Sequence, residues 1–288
     1  DFLNLMSVYC DAVFRPQLTE LFFKQEGHHL DFADPDDPKS PLTISGVVYN
    51  EMKGAYSSLD GIIGRKIGAD ICPDNAYGRD SGGNPDVIPQ LTYDQFVQFH
   101  RTYYHPANSL IVLYGSIDVA KPLELLDRHY LAAFDRLDVR TEISDQPRWD
   151  QPRRETVSYP VGPNEDPARK TAVVLTFLTN DIRNAVDTLA MQVLEYYLLG
   201  HAASPLRKAL IDSQLGEELT HSGYDHHQRD NAFSVGIKGS EADRAGKIED
   251  LVKNTCAELA RQGLDTDKVE TALHRLELIV APGEWVAL

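Results

Sequence analysis

Between Arg140 and Arg154 the apolar periodicity of the chain stops. Asp145, Gln146, Pro147, Asp150, Gln151, Pro152 and the pair Arg153-Arg154 leave little to bury, and proline with charge at this density reads as a linker. The periodic pattern restarts beyond it. No other feature constrains the fold as much, because the break divides 288 residues into two stretches that can each bury a core of their own. The expected organisation is a first domain over residues 1–140, a linker over 141–154 and a second domain over 155–288.

Within the first stretch, Asp1 to Phe14 reads as a helix with Phe2, Leu5, Met6, Tyr9 and Val13 on one stripe. Asp31 to Pro41 holds three prolines and four aspartates and reads as a loop. A helix follows from about Ser45 to Ile67, interrupted near Gly61-Ile62-Ile63-Gly64, and Pro73 to Pro89 is an irregular loop. Thr92 with Gln95 has the form of a capping box for a helix ending before Pro106. Ser109 to Tyr114 is apolar and β-branched and predicts a strand; Val119 to Phe134 predicts an amphipathic helix.

In the second stretch, Glu155 to Val161 and Lys170 to Leu178 predict strands, and Asp181 to Leu199 a helix ended by Gly200. Pro205 to Ile211 is a short helix, and Glu217 to Ser222 with Phe233 to Lys238 form an antiparallel pair. Glu241 to Gln262 and Thr266 to Ile279 close the series as helices. Strand, helix and antiparallel return in both halves point to the α+β class.

Charge narrows the choice of partner. The chain carries 28 basic against 44 acidic side chains, a net charge of −16, which disfavours a phosphate-binding footprint and suits cationic ligands. No apolar run approaches the roughly 18 residues needed to span a membrane as a helix. Cys10, Cys72 and Cys256 are odd in number and widely spaced, and they read as reduced packing residues. There is no Gly-rich phosphate loop and no Gly-x-Ser-x-Gly.

One stretch carries chemistry. Read as a helix, Gly46-Val47-Val48-Tyr49-Asn50-Glu51-Met52-Lys53-Gly54-Ala55 turns Val47, Val48, Ala55 and Tyr56 toward a core and points Glu51 from the middle of a turn. Around it, in order, stand Phe2-Leu3-Asn4-Leu5-Met6, Gln25-Glu26-Gly27, Ser81-Gly82-Gly83-Asn84-Pro85, Ile88-Pro89-Gln90-Leu91-Thr92 and Tyr103-Tyr104-His105-Pro106-Ala107-Asn108. This ordered series, spanning Asp1 to about Ile279, resembles the pitrilysin/insulinase family of inverted-motif zinc metallopeptidases.

The resemblance implies two domains of the pitrilysin/processing-peptidase type, each an antiparallel-rich sheet packed with helices. It makes residues 1–140 the C-terminal part of the zinc-site domain, N-terminally truncated, and 155–288 a second, non-zinc domain truncated at its C-terminus. In the family, a His-x-x-Glu-His helix supplies two zinc ligands and the general base, and a Glu in the Asn-Glu-Met-Lys-Gly context supplies the third ligand. Glu51 occupies that third position. No His-x-x-Glu-His occurs in this sequence, so the general base is expected upstream of Asp1 and the fragment is expected to be inactive alone. One Zn2+ per intact enzyme would activate the water that attacks the peptide bond.

The implied substrates are unstructured, cationic peptides such as targeting presequences; the implied partners are the missing N-terminal segment and C-terminal half of the same polypeptide, with neither nucleic acid nor membrane. The implied location is the cytoplasm in a bacterium and the mitochondrial matrix or plastid stroma in a eukaryote. Ser81, Gly82 and Gly83 resemble a segment near the family's cleft, where small residues let a peptide strand approach, although a tight surface turn accounts for them equally well. Asn50 could orient its neighbour Glu51 or face solvent. The alternative function is a non-catalytic scaffold or peptide-binding relative of the same fold. Elsewhere, His28-His29, His100, His105 and Asp225-His226-His227 read as structural or loop residues. Residues 281–288, Ala281 to Leu288, break the family pattern.

Overall fold

The computed structural model describes residues 2–162 and 164–280, in two compact units. One runs to Ser57 and takes in Asp80–Glu142; the other joins Ser58–Arg79 to the described residues from Ile143 onward. The expected division assigned residues 58–79 to the first domain, whereas in the structure they pack with the second unit. Residues 281–288 lie outside the described residues.

In the first unit, α1 (Phe2–Phe14) leads to α2 (Glu20–Phe22), a single π turn over Phe23–Gly27, and strands β1 (His29–Phe32) and β2 (Leu42–Ser45). The strands pair antiparallel as a two-stranded ribbon around the aspartate-proline loop, with Leu30 opposite Ile44 and Phe32 opposite Leu42. Helix α3 (Val47–Ala55) follows; α4 (Leu59–Ile71) belongs to the second unit; α5 (Tyr93–Tyr103) and α6 (Ala120–His129) return to the first. Thr92 caps α5 through the reciprocal box with Gln95, as the sequence predicts.

The interior of this unit is small. Cys10, Leu126 and Tyr130 are buried, with Met6, Phe14, Leu125 and Leu131 packed against them. Tyr130 satisfies its hydroxyl on Ser7 O at 2.8 Å, and Arg15 lies over its ring at 4.9 Å. The covered stripe of α1 is therefore Met6, Cys10 and Phe14; Phe2, Leu5 and Tyr9, expected on it, are exposed. Ser109 to Tyr114 joins no ladder, since none of the described strands pairs with it, and it runs as irregular, largely exposed chain.

The second unit is built on a three-stranded antiparallel sheet, β3 (Thr171–Asp181), β4 (Glu218–Asp225) and β5 (Asp230–Ser240), in the order β3-β5-β4. The central strand β5 is buried along almost its whole length. Register places Leu175 opposite Val235 and Phe177 opposite Phe233. Helices α7 (Ala185–Leu199), α8 (Pro205–Asp212), α9 (Ala245–Gln262) and α10 (Thr266–Val280) accompany the sheet. The core joins Tyr197, Leu206, Leu210, Phe233, Val235 and Val252, and Val235, Leu206 and Leu210 have no measurable exposure. Antiparallel sheet with helices is the α+β class that the sequence predicts. Glu155 to Val161, predicted as a strand, is irregular and mostly exposed.

Two details fasten this unit. The predicted interruption at Gly61–Gly64 does not occur; the break falls at Tyr56–Ser58, where the Ser58 hydroxyl caps α4 by accepting from Gly61 N at 3.1 Å. Gly64 is tolerated within α4, where a Cβ would stand 3.5 Å from the His221 ring. The stretch from Ile143 to Arg148, although irregular, is tied down. Gln146 is buried and donates to Asp74 Oδ2 at 2.7 Å and from its backbone to Asp230 Oδ2 at 2.8 Å. Ile143 O accepts from Arg229 at 2.6 Å.

Candidate functional site

Helix α3 presents the candidate ligand. Its N-terminus is set by Gly46, whose φ of 154° suits glycine, and a Cβ there would lie 2.3 Å from Gly27 O. The helix carries no side-chain cap at this end, so backbone contact with Gly27 fixes where it starts. Its inward stripe is Tyr49, Met52 and Tyr56, each half-buried and spaced i, i+3, i+7. The sequence predicts Val47, Val48 and Ala55 inward with Tyr56. In the structure Val47 is 55% exposed and Val48 38%, and Ala55 is exposed too. The reason is rotational: Met52, seated against Gly82, and the two tyrosines on its stripe are the partly covered positions of the helix.

Glu51 stands four residues from Val47, three from Val48 and four from Ala55, so all four share the outward face of α3. Its carboxylate is exposed, flanked by apolar side chains. Asn50 turns back toward the ribbon and donates from Nδ2 to Ser45 Oγ at 3.4 Å.

The Ser81-Gly82-Gly83 turn seats against the next residue of the helix. A Cβ on Gly82 would come within 2.5 Å of Met52 Sδ, so glycine lets the turn close on Met52. Asp80 organises it, its carboxylate accepting from Gly82 N at 3.0 Å and its carbonyl from Gly83 N at 3.2 Å. Gly83 has φ +93°, with the buried Ile88 3.3 Å from where a Cβ would be. The structure thus brings the turn to Met52, while Glu51 occupies the outward face of the same helical turn. No periodicity signals that contact; it comes from a glycine meeting a long thioether across 30 residues of sequence.

The histidines serve the backbone. His28 bonds Leu91 O at 3.1 Å, His29 bonds Lys24 O at 2.9 Å and His100 bonds Val13 O at 2.9 Å. His105 accepts from Ala107 N at 3.1 Å to cap the turn over Pro106–Asn108. His226 stacks between Tyr224 and His227. Among the described residues no group of three or more His, Cys, Asp or Glu could hold a metal ion. Cys10, Cys72 and Cys256 are free, and burial pushes all three thiols up, which keeps them un-ionised. An open depression of about 410 Å³, lined by Gln98, Arg101, Tyr103, Leu137 and Arg140 among others, includes none of the candidate residues.

The second unit holds several carboxylates displaced from their ordinary range. Asp181 is pulled down to about 2, first by the Arg183 guanidinium that bonds it. Asp60 is lowered chiefly by the hydroxyl of Thr220 at 2.7 Å, and Glu195 is raised by burial. Asp181, at the end of β3, and Asp60, on α4, are ion-pairing or hydrogen-bonding anchors, and among the described residues no metal-ligating group of three or more forms around any of the three.

The family profile described as the peptidase M16 inactive domain matches residues 90–276. The chain belongs to the M16 peptidases. The matched residues begin after Glu51 and after the Ser81–Gly83 turn. Among similar proteins, Protein HypA of Clostridium perfringens is 39% identical over 287 residues, 99% of this chain and 29% of its own length. The mitochondrial presequence protease of Mus musculus is 38% identical over 282 residues, 96% of this chain and 27% of its own. Presequence protease 1 of Arabidopsis thaliana, chloroplastic/mitochondrial, is 39% identical over 282 residues, 96% of this chain and 26% of its own. The chain therefore spans under a third of the length of these relatives.

In fold, this M16 chain is similar to the crystal structure of a peptidase M16 inactive domain from Pseudomonas fluorescens. The TM-score is 0.62 at 18% identity, covering 95% of this chain and 60% of that one. A putative M16-like peptidase from Alicyclobacillus acidocaldarius gives a TM-score of 0.54 at 13% identity, covering 96% of this chain and 73% of that one. Among the described residues no helix is long and apolar enough to cross a membrane.

Proposed function

We propose that this chain is part of a zinc metalloendopeptidase that degrades unstructured peptides, including targeting presequences, and that Glu51 is one of its metal ligands. The observation that carries the reading is the outward face of α3. There an exposed carboxylate stands among exposed Val47, Val48 and Ala55, and an apolar surround raises the electrostatic worth of a buried carboxylate–metal contact once the face is covered.

The chain alone does not fit a zinc ion. Hydrolytic zinc takes three protein ligands, and the described residues gather no such group. Two further ligands and the general base would come from other parts of the polypeptide, so no step of the reaction is assigned to residues of this chain. Asn50, bonded to Ser45, would hold the turn that carries Glu51, and the Ser81–Gly83 turn would offer backbone to an extended peptide.

Glu51→Gln in the full-length enzyme tests the reading. Bound zinc, measured by mass spectrometry, should fall together with peptidase activity while the circular dichroism spectrum is kept. Wild-type zinc content in the variant would make Glu51 a surface residue. The isolated chain should bind no stoichiometric zinc at micromolar metal.

The net charge of −16 would favour cationic peptides over acidic ones and weaken that preference as salt shortens the range to about 8 Å. Similar proteins include a mitochondrial protease, a chloroplastic/mitochondrial one and a bacterial protein, and we assign the whole protein to the cytoplasm of a bacterium, or to the matrix or stroma of a eukaryote. The second reading is a non-catalytic scaffold or peptide-binding subunit, favoured by the match to an inactive domain over residues 90–276. An intact His-x-x-Glu-His in the reading frame before Asp1 supports the enzyme, and its loss supports the scaffold.

A further inference from the structure

The β1–β2 ribbon has one apolar face, and that face is open. In an antiparallel pair, residues directly opposite each other lie on the same side, as do residues two apart along a strand. The register therefore puts Leu30, Ile44, Phe32 and Leu42 together on one side and His29, Ser45, Asp31 and Thr43 on the other. Leu30 is 65% exposed, Leu42 58%, Phe32 40% and Ile44 38%. A two-stranded ribbon is marginal in water without a surface to pack on, and a contiguous apolar patch of this kind marks an interaction site.

We infer that the apolar face of this ribbon is the docking surface for another segment of the same polypeptide, outside these 288 residues. Two observations favour that occupant over a second copy of the chain. First, the relatives carry more than three times this length of polypeptide, this chain covering 26–29% of each, and the deficit of cover in the first unit is spread out. Leu5 on α1, Leu21 on α2, and Leu110 and Tyr114 beyond α5 are all more than 60% exposed, so the uncovered apolar side chains are not confined to the ribbon. Second, each copy carries a net charge of −16, and four aspartates stand in the ribbon's own loop region over residues 31–37, so self-association meets like-charge repulsion.

The docking has a consequence for α3. Strand β2 ends at Ser45 and α3 begins at Val47; the single residue between them is Gly46, wedged against Gly27. Fixing the ribbon therefore fixes the start of the helix that bears Glu51. The inference goes beyond the proposed function, and its test is independent of zinc and of activity.

The test is thiol labelling on single cysteine variants of the full-length protein and of the 288-residue chain. Leu30→Cys and Ile44→Cys report the apolar face, and Asp31→Cys reports the polar one. The expected result is that maleimide labels all three in the short chain, and that in the full-length protein Leu30→Cys and Ile44→Cys slow by about tenfold or more while Asp31→Cys does not. Equal labelling of the apolar-face variants in both proteins would overturn the inference. So would equal protection of both faces in the full-length protein. Protection of Leu30→Cys in the short chain, together with a dimer mass by light scattering, would overturn it in favour of a second copy. Amide hydrogen exchange at residues 29–32 and 42–45 of the unsubstituted proteins gives the same comparison should a variant fail to fold.

Discussion

The hydroxyl of Thr220 donates to Asp60 Oδ1 at 2.7 Å across 160 residues of sequence. Thr220 lies on β4 and is buried, and Lys238 of β5 reaches the same carboxylate at 3.5 Å. Helix α4 is thereby fastened to the sheet of the second unit, although it begins only four residues after α3 ends.

Thr220→Val should lower the stability of the chain by about 1 kcal/mol, the usual worth of one hydrogen bond, read as a shift of the urea midpoint. The linked pH effect has a definite sign. The Thr220 hydroxyl and then the Lys238 ammonium hold the Asp60 carboxyl below its ordinary 3.8. Its contribution is therefore complete above that value and is lost as pH falls through the lowered one. The difference between wild type and Thr220→Val should shrink over that acid range.

Gly46→Ala should be far more costly. The added methyl meets Gly27 O at 2.3 Å, at a φ of 154°, and either the π turn over Phe23–Gly27 or the start of α3 must move. A loss of about 2–3 kcal/mol is expected from backbone strain and overpacking, measured by thermal melting. In the full-length protein the same change should raise the rate of zinc loss under the proposed function.

Trypsin should distinguish the two ends of the segment between the units. Arg136 and Arg140 are exposed in irregular chain. Arg148 is paired with the buried Asp230 at 3.3 Å, Arg153 donates to Asp70 O at 3.1 Å, and Arg154 grips Glu249 with two bonds of 2.9 Å. Brief digestion should cut after Arg136 or Arg140 first. First cleavage at Arg148 or Arg153, identified by mass spectrometry, would show that the anchoring through Gln146 and Asp230 does not persist in solution.

Glu195→Gln should stabilise the chain at neutral and higher pH. Burial raises the Glu195 carboxyl above its ordinary 4.5, against the opposing pull of the Tyr224 backbone N–H and of His226. The folded state thus favours the neutral acid, and stability declines as pH rises from 4.5 through the raised value. A neutral amide escapes that decline. The variant should melt higher than wild type at about pH 8 and equal to it at about pH 4; a lower melting point at both would mean that the charged carboxylate is needed.

Local signals were legible in the sequence where the chain satisfies itself. Thr92 and Gln95 carry their capping box within four residues, and β4 and β5, predicted as an antiparallel pair, meet through a short connection. Segments needing distant partners were not legible in the same way. Ser109 to Tyr114 has strand composition but finds no ladder among the described residues, and the inward stripe of α3 went to Tyr49, Met52 and Tyr56 because packing against Gly82 decided its rotation. The α4 start was hidden for another reason: Ser58 supplies the cap, while the nearby glycines, which look like breakers, lie inside the helix. Glu51 is singled out by its sequence context alone, and its exposure could not be read from composition.

The path of the chain through the two units sets a rule for inheritance. It enters the second unit at Ser58, leaves after Arg79 and re-enters at Ile143. A gene broken at any single point between the codons for these residues leaves one body without a piece that the other half encodes. A break after residue 142, the natural place to divide the chain, strands α4, Asp60 and Asp74 with the wrong partner. Such a pair of units resists being shuffled separately by one recombination event, so they are expected to travel together through evolution, and to be recovered separately in the laboratory only after their order in the gene has been rewired.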